Sequence, residues 1–76
     1  MKVKINGRIL GTVQTEYYML VKDGLPNKKP MTAYNMGKAL GRTSAVSYEM
    51  LEQLYDKGLI KKKPNTYEFI INEDKK

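Results

Sequence analysis

Lys61, Lys62 and Lys63 form the densest basic run in the chain, and Lys28, Lys29, Lys38 and Arg42 add cations before it. Ammonium and guanidinium groups in these numbers suit contact with anions, above all phosphates. The formal net charge of +6 points the same way, toward DNA, RNA or an acidic membrane, and charge alone does not choose among them. Catalytic chemistry has little to work with. The chain has no histidine and no cysteine, which removes the usual general base, the commonest metal ligand, disulfides and a thiolate zinc site. The carboxylates sit singly in polar surroundings, so no Asp/Glu pair suggests glycoside hydrolysis or two-metal chemistry. Only a site built from Ser, Lys and Tyr stays open. The expectation is a non-enzyme with no metal, no cofactor and no small-molecule ligand.

The elements that must position these cations fit one domain. A chain of 76 residues lies near the lower size limit for an independent core and buries only about 60% of its unfolded surface. An apolar fraction of 41% is enough to pack one. The expected domain covers residues 1–72, with 73–76 a disordered polar tail. The longest apolar run, Tyr17 to Val21, falls far short of the ~20 residues a membrane span needs. Lys2 and Lys4 lead into a strand-like pattern rather than the apolar stretch of a signal peptide. A cytoplasmic or host-intracellular protein without membrane contact is expected.

Residues 2–13 read as a hairpin. Val3 and Ile5 alternate with Lys2 and Lys4, Asn6-Gly7 suits a tight turn, and Ile9 to Val13 would return, weakened by Gly11. Alternatively only residues 2–5 pair. Thr12 or Thr15 would cap a first helix, with Glu16 in its first turn, Tyr17, Tyr18, Leu20 and Val21 on its buried face, and Gly24 as its stop. A loop from Leu25 to Pro30 follows. Thr32 would cap a second helix, Ala33 to Leu40, ended by Gly41. Thr43 or Ser44 would cap a third helix running to about Lys57, with Val46, Met50, Leu51 and Leu54 as its apolar stripe and Gly58 at its exit. Leu59 to Lys63 and Thr66 to Ile71 then read as two strands joined by Pro64-Asn65. The expected fold is α+β, three helices with a C-terminal hairpin and an extra N-terminal one.

Helix, short turn, helix and hairpin in this order resemble the winged helix-turn-helix superfamily, most closely its small MarR-like and ArsR-like regulators and related plasmid or phage proteins. The resemblance rests on Met31-Thr32-Ala33-Tyr34-Asn35-Met36-Gly37-Lys38-Ala39-Leu40-Gly41 and on Thr43-Ser44-Ala45-Val46-Ser47-Tyr48. It continues through Leu51 and through Leu54 to Ile60, which matches the Leu-x-x-x-Gly-Leu-Ile exit into a wing. It covers roughly residues 16–71 and implies double-stranded DNA binding by a transcriptional regulator, a repressor for instance, or by an accessory protein of a mobile element. Helix 44–57 would read the major groove while the wing, 59–71, contacts the backbone.

On that resemblance Thr43, Ser44, Ala45, Ser47 and Tyr48 face the groove. Hydroxyls meet phosphates or base edges, and Ala45 suits a thymine methyl. Each has a plainer alternative: Thr43 and Ser44 as caps, Tyr48 as half-buried packing. Arg42 is either a phosphate or base contact or a solvated linker residue, and Lys38 either a phosphate clamp or part of a solvated face. Lys61 to Lys63 either straddle the DNA backbone or protect an edge strand, with Lys62 facing opposite to its neighbours and Asn65 at the tip. Glu49, Glu52 and Asp56 make the third helix itself acidic; Glu49 either accepts from a cytosine amine or lies away from the groove. That leaves room for a winged helix that binds protein instead of DNA. The N-terminal hairpin would extend the wing sheet or form a two-fold contact. A homodimer on a palindrome is expected, with Tyr17, Tyr18 and Tyr55 either interface anchors or core.

Overall fold

The computed structural model describes residues 3–5 and 7–72. Lys2 and Asn6 of the expected first hairpin, and the expected tail 73–76, lie outside them. The protein is α+β: strands β1 (Val3–Ile5) and β2 (Arg8–Leu10), helices α1 (Thr12–Asp23), α2 (Ala33–Leu40) and α3 (Ser44–Asp56), then strands β3 (Ile60–Lys62) and β4 (Phe69–Ile71). β1 pairs antiparallel with β2, and β3 with β4, as two separate sheets. The N-terminal hairpin therefore does not extend the C-terminal sheet.

The strand expected to reach Val13 stops at Leu10, because the chain turns into α1 at once. Neither Thr12 nor Thr15 is the cap. Gly11 holds the N-cap position, its N–H donating to Gln14 Oε1 at 3.2 Å, while Thr15 Oγ1 donates to the Gly11 carbonyl at 2.8 Å. Glu16 consequently lies beyond the first turn. The side-chain amide of Gln14 also reaches Gln53 Oε1, which ties α1 to α3.

The later boundaries follow their capping residues. Thr32 Oγ1 accepts from Asn35 N, and Thr43 Oγ1 from Val46 N, both at 3.2 Å. α2 and α3 end alike. Gly41 (φ +71°) lets the Arg42 N–H fold back to the Gly37 carbonyl at 2.8 Å, and Gly58 (φ +78°) lets the Leu59 N–H reach the Leu54 carbonyl at 3.1 Å. Both are six-to-one bonds that need a left-handed residue just past the helix.

One core joins all three helices to the C-terminal hairpin. Tyr17, Tyr18 and Val21 come from α1, Met36 from α2, Leu51 and Leu54 from α3, and Leu59, Ile60 and Phe69 from the hairpin region, with Leu10 and Leu25 closing the sides. Tyr17 and Tyr18 are thus core residues rather than interface anchors. In the C-terminal hairpin the Lys63 N–H donates to the Glu68 carbonyl and the Asn72 N–H to the Leu59 carbonyl. Lys62 opposite Phe69 is therefore a non-hydrogen-bonded pair, which turns the Phe69 N–H away from β3. It donates instead to the Met31 carbonyl at 3.0 Å, so the segment before α2 is tied to the outer edge of β4.

Candidate nucleic-acid interface

The angle between α2 and α3 is set by a close approach. A Cβ on Gly37 would lie 2.6 Å from Ser47 Oγ and 2.8 Å from the Arg42 carbonyl oxygen, distances no real side chain tolerates. Ser47 is fully buried at this point. Its hydroxyl donates to the Thr43 carbonyl at 2.9 Å and lies 2.6 Å from the Tyr17 hydroxyl. A serine has one proton, and a carbonyl only accepts, so Tyr17 is the donor to Ser47. This corrects the expectation that Ser47 faces DNA: it is the helix-packing residue. It also moves the apolar stripe. Ser47, Leu51 and Leu54 point inward, whereas Val46, expected in the core, is 39% exposed.

With Ser47 turned in, the outward N-terminal face of α3 carries Thr43, Ser44, Ala45, Tyr48 and Glu49, all exposed. The small residues at 43–45 leave backbone within reach of a ligand. The Thr43 hydroxyl satisfies the Val46 N–H, and the first backbone bond of the helix runs from Ser47 N to the Thr43 carbonyl. The N–H groups of Ser44 and Ala45 precede that ladder and have no acceptor within the helix.

The cations divide into two groups. Lys61 and Lys63 are exposed on the C-terminal hairpin and form no ion pair among the described residues. Lys38 is exposed on α2, its Nζ 3.3 Å from the Tyr34 hydroxyl and 5.2 Å from the ring centre. Arg42 and Lys62 are already partnered. Arg42 Nη2 lies 2.8 Å from Glu16 Oε1, and its Nε is buried with no acceptor. Lys62 turns back onto α3, 3.2 Å from Glu52 Oε2 and 5.0 Å from the centre of the Tyr55 ring. The hydrogen bonds to Glu16 and Glu52 raise the Arg42 and Lys62 pKa values further above neutrality, so both remain cations. Lys62 is thus opposed in direction to Lys61 and Lys63, as strand alternation requires.

Asn65 sits exposed at the hairpin tip with φ +63°. The expected strand from Thr66 begins only at Phe69, because Thr66 belongs to the turn: its hydroxyl donates to the Lys63 carbonyl at 2.9 Å and accepts from Glu68 N at 3.1 Å. Tyr67 is left 90% exposed rather than paired.

A groove of about 610 Å³ runs between α2, α3 and this hairpin. Tyr34, Tyr48 and Tyr67 line it, with Lys62, Thr66 and Glu68. Tyr34 and Tyr67 were not singled out from sequence. The spacing of Tyr34 to Lys38, one helical turn, was the available signal for the first; a hairpin-tip tyrosine carries none. Among the described residues no helix is long and apolar enough to cross a membrane. No family model, curated protein or solved structure matches the chain.

Proposed function

We propose that this protein is a winged helix-turn-helix domain that binds double-stranded DNA, with α3 in the major groove and the β3–β4 hairpin as its wing. The observation that carries the reading is the shared groove: Tyr48 of α3 and Lys62, Thr66 and Tyr67 of the hairpin line one cleft. Tyr48, on the outward face of α3, therefore shares one surface with the hairpin. Small residues at the helix start, free N–H groups and flanking lysines suit that surface to phosphates and base edges. Phosphate contacts come from Lys38 on α2 and from Lys62, the lysine of the wing that lines this groove, which exchanges Glu52 for a phosphate. Arg42 joins them by exchanging Glu16 for a phosphate at Nη2. A single copy reads a short half-site, so two copies on a palindrome complete the assembly. Such a protein serves as a transcriptional regulator or as a DNA-binding accessory protein of a mobile element.

The test is a titration of a mixed-sequence duplex at several salt concentrations, with wild type and a Lys38→Ala/Lys62→Ala variant. Affinity should fall steeply with salt, and the variant should lose about two from the slope, one for each phosphate contact removed. No duplex binding at low salt by the folded wild type would refute the proposal. One observation favours a second reading, a winged helix that binds protein: Arg42 and Lys62 are each held by a carboxylate, and exposed Tyr34, Tyr48 and Tyr67 line the groove, with exposed Tyr55 under Lys62.

A further inference from the structure

Along α3, from Ser44 to Asp56, there is no Lys, Arg or Asn, and its one Gln, Gln53, is bonded to Gln14. The side chains that most often read guanine (Arg, Lys) or adenine (Asn, Gln) are therefore absent from its outward face. What the face presents instead is Ala45 and, one turn later, Glu49, both exposed. Glu49 makes no ion pair among the described residues, whereas Glu16 and Glu52 each hold a cation and Glu68 accepts from Met31 N.

We infer that Ala45 and Glu49 are the specificity pair of this helix, selecting a thymine through its methyl group and a cytosine through its N4 amine; the inference rests on the DNA-binding reading above. An ionised carboxylate only accepts hydrogen bonds. In the major groove cytosine offers a donor amine alone, whereas the amine of adenine adjoins the acceptor N7, and guanine offers two acceptors. A carboxylate thus fits cytosine and is repelled by guanine. Near phosphates an unpaired carboxylate weakens binding to every sequence that does not meet it with a donor, which is how a repulsive group sharpens choice. The Ala45 methyl gives the complementary apolar contact. Four residues along a helix advance about 6 Å, against about 3.4 Å per base step, so the two bases lie within about two steps of each other.

Selection of bound duplexes from a randomised library, by wild type and by Glu49→Gln, tests this. Both positions are exposed, so each variant should stay folded, which circular dichroism checks. Wild type should enrich cytosine about tenfold at one position, with thymine enriched within two steps. Glutamine at 49 pairs well with adenine, so the variant should move that one position from cytosine to adenine. Replacing the selected thymine by uracil, which lacks the methyl, should weaken wild-type binding severalfold and leave Ala45→Gly unaffected. If wild type selects a sequence that Glu49→Gln selects unchanged, the inference is overturned and the DNA reading stands. If wild type retains no duplex, the DNA reading fails and the specificity pair falls with it.

Discussion

Replacing Ser47 by alanine should destabilise the protein through Tyr17, not through DNA. The Tyr17 side chain is fully buried and its hydroxyl donates to Ser47 Oγ at 2.6 Å. Ser47→Ala leaves that hydroxyl in the core without an acceptor, at a cost of about 1–3 kcal/mol. The Thr43 carbonyl is not orphaned, because it still accepts from Ser47 N. Tyr17→Phe is milder. Ser47 keeps its bond to Thr43, and one interaction worth about 0.5–1.5 kcal/mol is lost. With both hydroxyls gone nothing polar is stranded, so the double variant should cost no more than the worse single one. The coupling energy of this cycle is then about 1 kcal/mol. In a domain of this size each kcal/mol moves the Tm by roughly 4–8 °C. Urea unfolding followed by circular dichroism reads all four proteins. Additive effects, or a Ser47→Ala protein as stable as wild type, would refute the buried pair and return Ser47 to the surface.

Other expectations bear on the same surface. Gly37→Ala gains about 1 kcal/mol of helix propensity but forces a Cβ against the Arg42 carbonyl, so thermal unfolding should show a net loss of up to about 2 kcal/mol; a raised Tm would contradict the close approach. Glu16→Gln releases Arg42 and should tighten duplex binding severalfold while steepening its salt dependence, measured by fluorescence anisotropy; weaker binding would mean that the ion pair positions Arg42 for contact. Tyr67→Ala should leave the Tm unchanged, since the side chain is almost wholly exposed, and should lower duplex affinity if the groove beside it carries a DNA strand.

Helix ends were the most legible part of the fold, because each depends on a local residue. Thr32, Thr43, Gly24, Gly41 and Gly58 stand where capping chemistry puts them. The start of α1 misled because two threonines lay next to the boundary, while a glycine backed by Gln14 holds the position. Ser47 was illegible for a different reason. Hydrophobicity marks Val46 as the inward residue, but Gly37 brings α2 so close that only a small side chain fits, and the buried polar atom is answered by a tyrosine thirty residues away in sequence. The partners of Arg42 and Lys62 belong to the same class: Glu16 and Glu52 reach them from other elements, and no local spacing announces either pair. The outward set at Thr43, Ser44, Ala45 and Tyr48 needed only helical periodicity once the inward face was known.

The measurement that bears most directly on the central claim is amide chemical-shift mapping of the labelled protein during titration with a mixed-sequence duplex at low salt. Perturbations are expected at Thr43, Ser44, Ala45, Tyr48 and Glu49, together with Lys62, Asn65 and Thr66, with little change across β1 and β2. Saturating duplex that moves none of these amides, or moves only those of α1 and the N-terminal hairpin, would contradict that claim.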